Sequence, residues 1–471
     1  MTMWESIKPA SGTTPTERSL ARLCAKTFLR LWSYPNLYRN QRSSSTSLIG
    51  KELCDLLVVF DKHLIIFSDK SCVFPDSGNI DIGWSRWYRR SIQGSAKQIA
   101  GAERWLRDFP NLIFLDEQCQ QPFPFKLQPW NQFTVHRIVV ALNAADRCRK
   151  EIGGTGSLLI DPNIVGEDHI KRAEENYQPF SVGWIDPKLG YVHVLDDITL
   201  EILLTGLDTV TDFVDYLDKK VAYITSGKLH WAPGEEDLLA IYLNNINEVG
   251  KHDFPKLEPN QRLVVDEGSW STLCASSSYQ AKCLADEDSI IWDSIIEEFS
   301  KHVFDATLLT DGSSDIQDYE LALRIMAKEC RVARRILGRE ILQKIQRVKH
   351  NYIGSISMQS PSQSEIGYAY ILYPFEVSMD HDLYREFRKL YLQEYCIVYG
   401  FMHKDIKKII GIATETGFGN QGRSHDLIYF EPRDWTTEQE LNAKEIQEKR
   451  GLFIEGKVIK RESVVAEYPS Q

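Results

Sequence analysis

Residues 50–70, GKELCDLLVVFDKHLIIFSDK, are the stretch from which the fold can be worked outward. Two apolar runs, 56–60 and 64–67, flank Asp61, Lys62 and His63, a connection short enough for a β-hairpin. Charge sits at the two outer ends, with Glu52 and Asp55 before the first run and Asp69 and Lys70 after the second. Antiparallel pairing across the turn brings those ends together. Carboxylates and a lysine then converge beside apolar strands, where charge is costly unless paired or metal-bound.

The flanking segments extend the hairpin into a domain. Thr14, Pro15 and Glu17 form a helix start, with a Thr cap, Pro at the first helical position and Glu at the third. Leu20, Leu23, Cys24, Thr27 and Leu31 follow at helical spacing as far as Trp32. The polar, serine-rich stretch 33–47 reads as a loop. After the hairpin, 75–83 is turn-rich and 84–109 is predicted as one long helix ending before Pro110. Strands are expected at 111–116, 134–140 and 158–161. Helix, two strands, helix, strand is an α/β (α+β) core of about 160 residues. The glycines of 153–156 lack both the Lys-Ser/Thr ending of a P-loop and dinucleotide-fingerprint spacing, so they read as a bend.

Three domains are expected, 1–160, 161–312 and 313–471, because 471 residues exceed one ordinary core. The middle region carries a strand at 191–195, a helix start at Asp197, an amphipathic helix over 207–217 and a strand at 221–224. In the third region a long helix over 316–350, rich in Arg331, Arg334, Arg335 and Arg339, reads chiefly as a solvated charged face. Strands at 368–373 and 409–413 flank a helix around 382–394, and 436–450 is a charged helix. Thr414, Gly417, Gly419, Gly422 and Arg423 belong to a glycine-rich connection.

Composition excludes several classes. No apolar run reaches membrane-spanning length, no signal pattern opens the chain, and a cytoplasmic location is expected. Nine cysteines, odd in number and without a CxxC pair, argue for reduced thiols rather than disulfides or a cysteine zinc site. His136, His193, His230 and His403 show no ligand spacing. The net charge of −11 is uneven: residues 1–110 hold 16 Lys/Arg against 10 Asp/Glu, or +6, which leaves −17 for the remainder. A basic front on an acidic body suits a first domain that meets phosphate.

An acid opening one strand and a lysine closing the next resembles the PD-(D/E)xK, restriction-endonuclease-like nuclease superfamily, over about residues 15–160. The resemblance implies a Mg²⁺- or Mn²⁺-dependent endonuclease acting on DNA, of a kind that includes bacterial antiviral defence effectors. Asp55 matches the first metal-binding acid and Lys70 the motif lysine, which would orient water and offset developing charge. The position two before the lysine, usually Asp, Glu or Gln, is Ser68. Strand alternation puts Ser68 and Lys70 on one face and Asp69 on the other. The second acid is therefore Asp69, if a bulge re-aims it, or Glu52 or Glu103.

On the following helix, Gln98 is a candidate to complete the site and Lys97 to support it. Arg86, Arg89, Arg90, Lys97 and Arg104 are candidate nucleic-acid contacts, since Trp84–Arg90 interleaves aromatics with cations. Buried aromatics with outward arginines would give the same pattern. The alternative function is a non-catalytic nucleic-acid- or protein-binding adaptor on a degenerate nuclease core. The acidic rear would then regulate, bind a protein partner or form a homo-oligomer.

Overall fold

Every carboxylate and lysine singled out in the hairpin lies on a pair of strands that begin together and then part. The computed structural model describes residues 5–40, 50–171, 177–306, 316–375, 379–416, 425–432, 435–454 and 466–469. Its described residues divide into two units, 7–280 and 281–471, the latter joined by residues 5 and 6. The division differs from the three-domain expectation because strands on both sides of residue 160 complete one sheet.

In the first unit the order is α1 (Pro15–Phe28), β1 (Ser33–Arg39), β2 (Lys51–Phe60), β3 (His63–Ser71), α2 (Ile80–Tyr88), α3 (Gly94–Asp108), β4 (Ile113–Phe114), β5 (Thr134–Leu142), α4 (Ala145–Glu151), β6 (Leu159–Val165), β7 (Ser181–Trp184), β8 (Val192–Leu195), α5 (Thr199–Gly206), α6 (Val210–Thr225), β9 (Leu229–Trp231), α7 (Glu235–Asn244), β10 (Leu263–Val264), α8 (Ser269–Ala275) and the first turn of α9 (Ser277–Asp286), whose remainder, with Asp286, belongs to the second unit. Six strands form one mixed sheet in the order β4-β1-β2-β3-β5-β8. β1, β2 and β3 are antiparallel neighbours, whereas β3, β5 and β8 run parallel.

α1 begins with the expected capping box, Thr14 and Glu17 each bonding the other's backbone. It stops at Phe28, earlier than predicted, because Leu29 turns into a positive-φ conformation (φ 62°). The serine-rich loop is in part a strand: residues 33–39 pair with β2, and 41–49 lie outside the described residues. A two-residue turn, with Asp61 at φ 52°, closes the hairpin. The long helix expected over 84–109 is one helical stretch from Ile80 to Asp108, carrying a π turn at Arg89–Gln93.

Sheet parity sorts the two faces. Phe28 of α1 packs on Phe67 and on Phe213 of α6, so α1 and α6 cover the face that bears Phe67. On the other face Arg137 of β5 makes a paired bond with Glu103 of α3, 2.7 Å for both contacts. Residues 221–224, expected as a strand, belong to α6, where tertiary packing overrides β-branched composition. Asp197, expected to cap the helix that follows it, accepts from the amides of Asn143, Ala144 and Ala145 and so caps α4.

The second unit contains α10 (Ile290–Phe304), α11 (Ile316–Ala327), α12 (Arg331–Arg347), β11 (Gly354–Gln359), β12 (Ile366–Pro374), α13 (His381–Met402), β13 (Lys408–Thr416), β14 (His425–Phe430) and α14 (Thr437–Arg450). Its four-stranded sheet runs β11-β12-β13-β14, with α13 packed through Leu392, Cys396 and Tyr399 against Ile371 and Ile409. The long helix expected over 316–350 is two helices. Arg331 and Arg334 are buried on Asp293 (2.7 and 2.8 Å), and Arg335 on Asp286 (3.0 Å). These cations are spent in the core and present no phosphate-binding face. Most of the glycine-rich connection, 417–424, lies outside the described residues.

Candidate active site at the parting of two strands

β2 and β3 pair only from the turn to Leu56 and Phe67. Beyond that point β2 continues along β1 as far as Lys51, and β3 continues along β5 as far as Ser71. The gap that opens between them is edged by Glu52 and Asp55 on one side and by Ser68, Asp69 and Lys70 on the other. Asp55 spans it: its Oδ2 accepts the Asp69 backbone N–H at 2.5 Å. Gln98 reaches in from α3, donating to Asp55 Oδ1 at 3.3 Å and accepting from the Ser68 hydroxyl at 3.3 Å. Gln98, Ser68 and Asp55 thus belong to the α3 face, where Lys70 lies by parity.

The β3–β5 register runs without a break through Asp69 and Lys70, so no bulge re-aims Asp69. Its carboxylate stays on the α1 face. It is 93% buried, being 7% exposed, and among the described residues neither oxygen has a partner in hydrogen-bond geometry. Burial pushes the Asp69 carboxyl up to about 6; the Thr16 hydroxyl opposes that shift, and Asp55 and Glu17 add to it. Burial likewise raises Asp55, against the pull of the Lys70 charge. Glu52 is raised by desolvation in spite of its bond from Asn36, with Asp55 and Glu17 repelling its charge.

Two residues that the motif gave no reason to single out complete this face. Asn36, in a positive-φ conformation within β1, donates to Glu17 Oε2 at 3.0 Å and to Glu52 Oε1 at 2.8 Å. Glu17 feels desolvation, but the bonds from Asn36, Thr13 and Thr14 outweigh it and lower its pKa. The signal in the sequence was the capping box itself: the glutamate that caps α1 also faces the hairpin acids. Glu103, in contrast, is held by Arg137 and is not available as the second acid.

The candidate nucleic-acid contacts divide. Trp84, Trp87 and Tyr88 are fully buried, and Trp84 stacks on Trp87 and packs on Phe180 at 5.6 and 5.3 Å. They are core and offer no surface on which bases could stack. Arg86, Arg89, Arg90, Lys97 and Arg104 are exposed. Arg39 and Lys51 lie directly opposite each other across β1 and β2, and Arg104 repels Arg39. Like charges opposed in this way are unfavourable without an anion between them.

All the donors at the gap are oxygens, the set preferred by Mg²⁺ or Mn²⁺. Asp55, which faces α3 with Lys70, fits such an ion, which commonly takes one or two carboxylates and fills its shell with water and phosphate oxygens. Asp69, kept on the α1 face by the unbroken register, is not placed to share it, contrary to expectation. Among the described residues, one group of three donors does lie within mutual ligating reach, and it is at the other end of β3: His63, His136 and Asp218. His136 is therefore not the isolated histidine that its sequence spacing suggested.

Comparison with protein-family models, curated proteins and solved structures finds no match for this chain. Among the described residues, no helix is long and apolar enough to cross a membrane.

Proposed function

We propose that residues 7–280 carry a Mg²⁺- or Mn²⁺-dependent nuclease that cleaves DNA phosphodiesters, built like a restriction-endonuclease core. One observation carries the reading. A helix, three antiparallel strands, a helix and a strand parallel to the third gather Asp55, Ser68, Lys70 and Gln98 where β2 and β3 separate. Asp55 would hold the ion, which would supply charge stabilisation at the scissile phosphate. Lys70 offers an ammonium on the same face as Asp55, suited to neutralise developing negative charge. Gln98 fixes the orientation of the Asp55 carboxylate. Arg39, Lys51 and Arg104 line the basic edge on which a phosphodiester backbone would rest. A defence role, with the second unit regulating the first, is an extension of this reading by analogy.

The adaptor reading rests on Ser68, which is fully buried and hydrogen-bonded where the superfamily usually carries an acid. Incubation of the purified full chain with supercoiled plasmid and Mg²⁺ or Mn²⁺ separates the two. Cleavage is expected, and it should fall at least about 100-fold in Asp55→Asn and in Lys70→Met. Circular dichroism would check that each variant is folded. Equal cleavage by all three proteins would defeat the proposal. Salt-sensitive DNA binding with no cleavage under any divalent ion would favour the adaptor.

A further inference from the structure

The turn end of the hairpin carries a second constellation that the nuclease reading does not use. His63 opens β3, His136 lies on β5, and Asp218 lies on α6 above them. The parallel register places Ile65 opposite His136, so His63 and His136 are diagonal neighbours on the face that α6 covers. Their rings stack with centroids 5.3 Å apart, and His63 Nδ1 lies 3.1 Å from His136 Nε2. Asp218 Oδ1 is 4.0 Å from His136 Nδ1. One donor atom from each of the three lies within 4.8 Å of the other two.

We propose that His63, His136 and Asp218 bind a first-row divalent transition metal of the zinc class, tying the hairpin turn, β5 and α6 together. Ligands bound at about 2.0–2.2 Å in tetrahedral array stand about 3.3–3.5 Å from one another. His63 Nδ1 and His136 Nε2 are already near that spacing, and with one donor per residue no pair is more than 4.8 Å apart, so side-chain movements of about 1–1.5 Å close the triangle on a single His136 nitrogen. Two imidazoles and one carboxylate suit zinc, cobalt, nickel or iron(II) better than the all-oxygen preference of Mg²⁺ or the thiolate preference of copper(I).

Burial is graded across the set. His136 is 4% exposed while the Asp218 side chain is 53% exposed, so the remaining coordination positions face solvent. Each ligand stands on a separate, regularly hydrogen-bonded element, which holds the donor positions rigidly. About six residues of β3, roughly 20 Å at strand rise, separate His63 from Asp69, so this ion would be distinct from one at the parted strands.

The test uses the tag-free full chain stripped with chelator and titrated with Co²⁺ or Zn²⁺. Co²⁺ is followed by its visible d–d absorption, and Zn²⁺ by competition with a chromophoric chelator. One equivalent is expected to bind with a nitrogen- and oxygen-ligand spectrum and to raise Tm. His63→Gln and Asp218→Asn should each weaken binding by more than about 10-fold, since even groups that merely support a ligand are worth about 10–100-fold. Asp218 is exposed, so its substitution leaves the fold intact and keeps the test decisive. Asp55→Asn should bind Co²⁺ as the wild-type chain does, which separates this site from the nuclease reading. Absence of saturable binding, affinity unchanged in both variants, or a thiolate charge-transfer band from cysteine ligation would each overturn the proposal.

Discussion

Asp69 shows how much one residue's environment decides. Its carboxyl is raised to about 6, chiefly by burial, against an ordinary value near 4 in an unfolded chain. The folded state therefore binds more protons than the unfolded state between about pH 4 and pH 6. Stability falls as pH rises through that window, by about 3 kcal/mol for a shift of roughly two units. Asp69→Asn keeps the shape and removes the charge. It should be more stable than the wild-type chain at pH 7.5, by up to about 3 kcal/mol, with the difference nearly gone at pH 4. Urea unfolding at the two pH values reads this directly. A variant less stable than wild type at pH 7.5 without metal would mean that the charge is compensated in the folded chain.

At the scale of elements, the site depends on how α3 is fixed to the sheet, because Gln98 reaches Asp55 only from that helix. The Arg137–Glu103 pair supplies the fixing, with both side chains less than one-fifth exposed. Arg137→Met should cost about 1.5–3 kcal/mol, the range of a charge-assisted hydrogen bond that leaves its partner partly buried. A double-mutant cycle with Glu103→Gln should return a coupling of comparable size. Near-zero coupling would show that α3 is held by apolar packing alone.

The hairpin, the capped helix before it and the parity of Asp69 were legible because each follows from local periodicity and turn chemistry. Strand β1 was not legible: residues 33–39 are polar and contain Pro35 and Asn36, and only pairing with β2 makes them a strand. The strand expected at 221–224 failed for the reverse reason, its β-branched residues being carried in a helix by packing. Neither the Asn36 bridge nor the His63–His136 pair could be seen in spacing, since each joins residues on separate elements. The arginines of α12 misled for the same reason: their acidic partners lie some 40 residues upstream, on or just before α10.

At the scale of the whole molecule, the question is which cations remain for a polyanion. The chain as a whole is acidic, at −11, and the first unit, with 30 Lys/Arg against 34 Asp/Glu, is −4; its excess of cations lies within the first 110 residues, at +6. In the second unit Arg331, Arg334 and Arg335 are neutralised by Asp293 and Asp286. In the first unit Arg39, Lys51 and Arg104 stand near one another, with like charges opposed across β1 and β2. A phosphodiester backbone should therefore be drawn to this edge of the first unit, and affinity should depend on these three residues without regard to base sequence. Lys51→Ala and Arg104→Ala should each weaken binding to unrelated duplexes to a similar degree. Each should also lower the slope of log K against log salt by about one. The wild-type slope estimates how many phosphates are met, and a shallow slope unchanged by either variant would remove nucleic acid from the list of partners. Fluorescence anisotropy of labelled duplexes between about 50 and 200 mM salt, with Ca²⁺ in place of Mg²⁺ to hold back cleavage, makes the measurement.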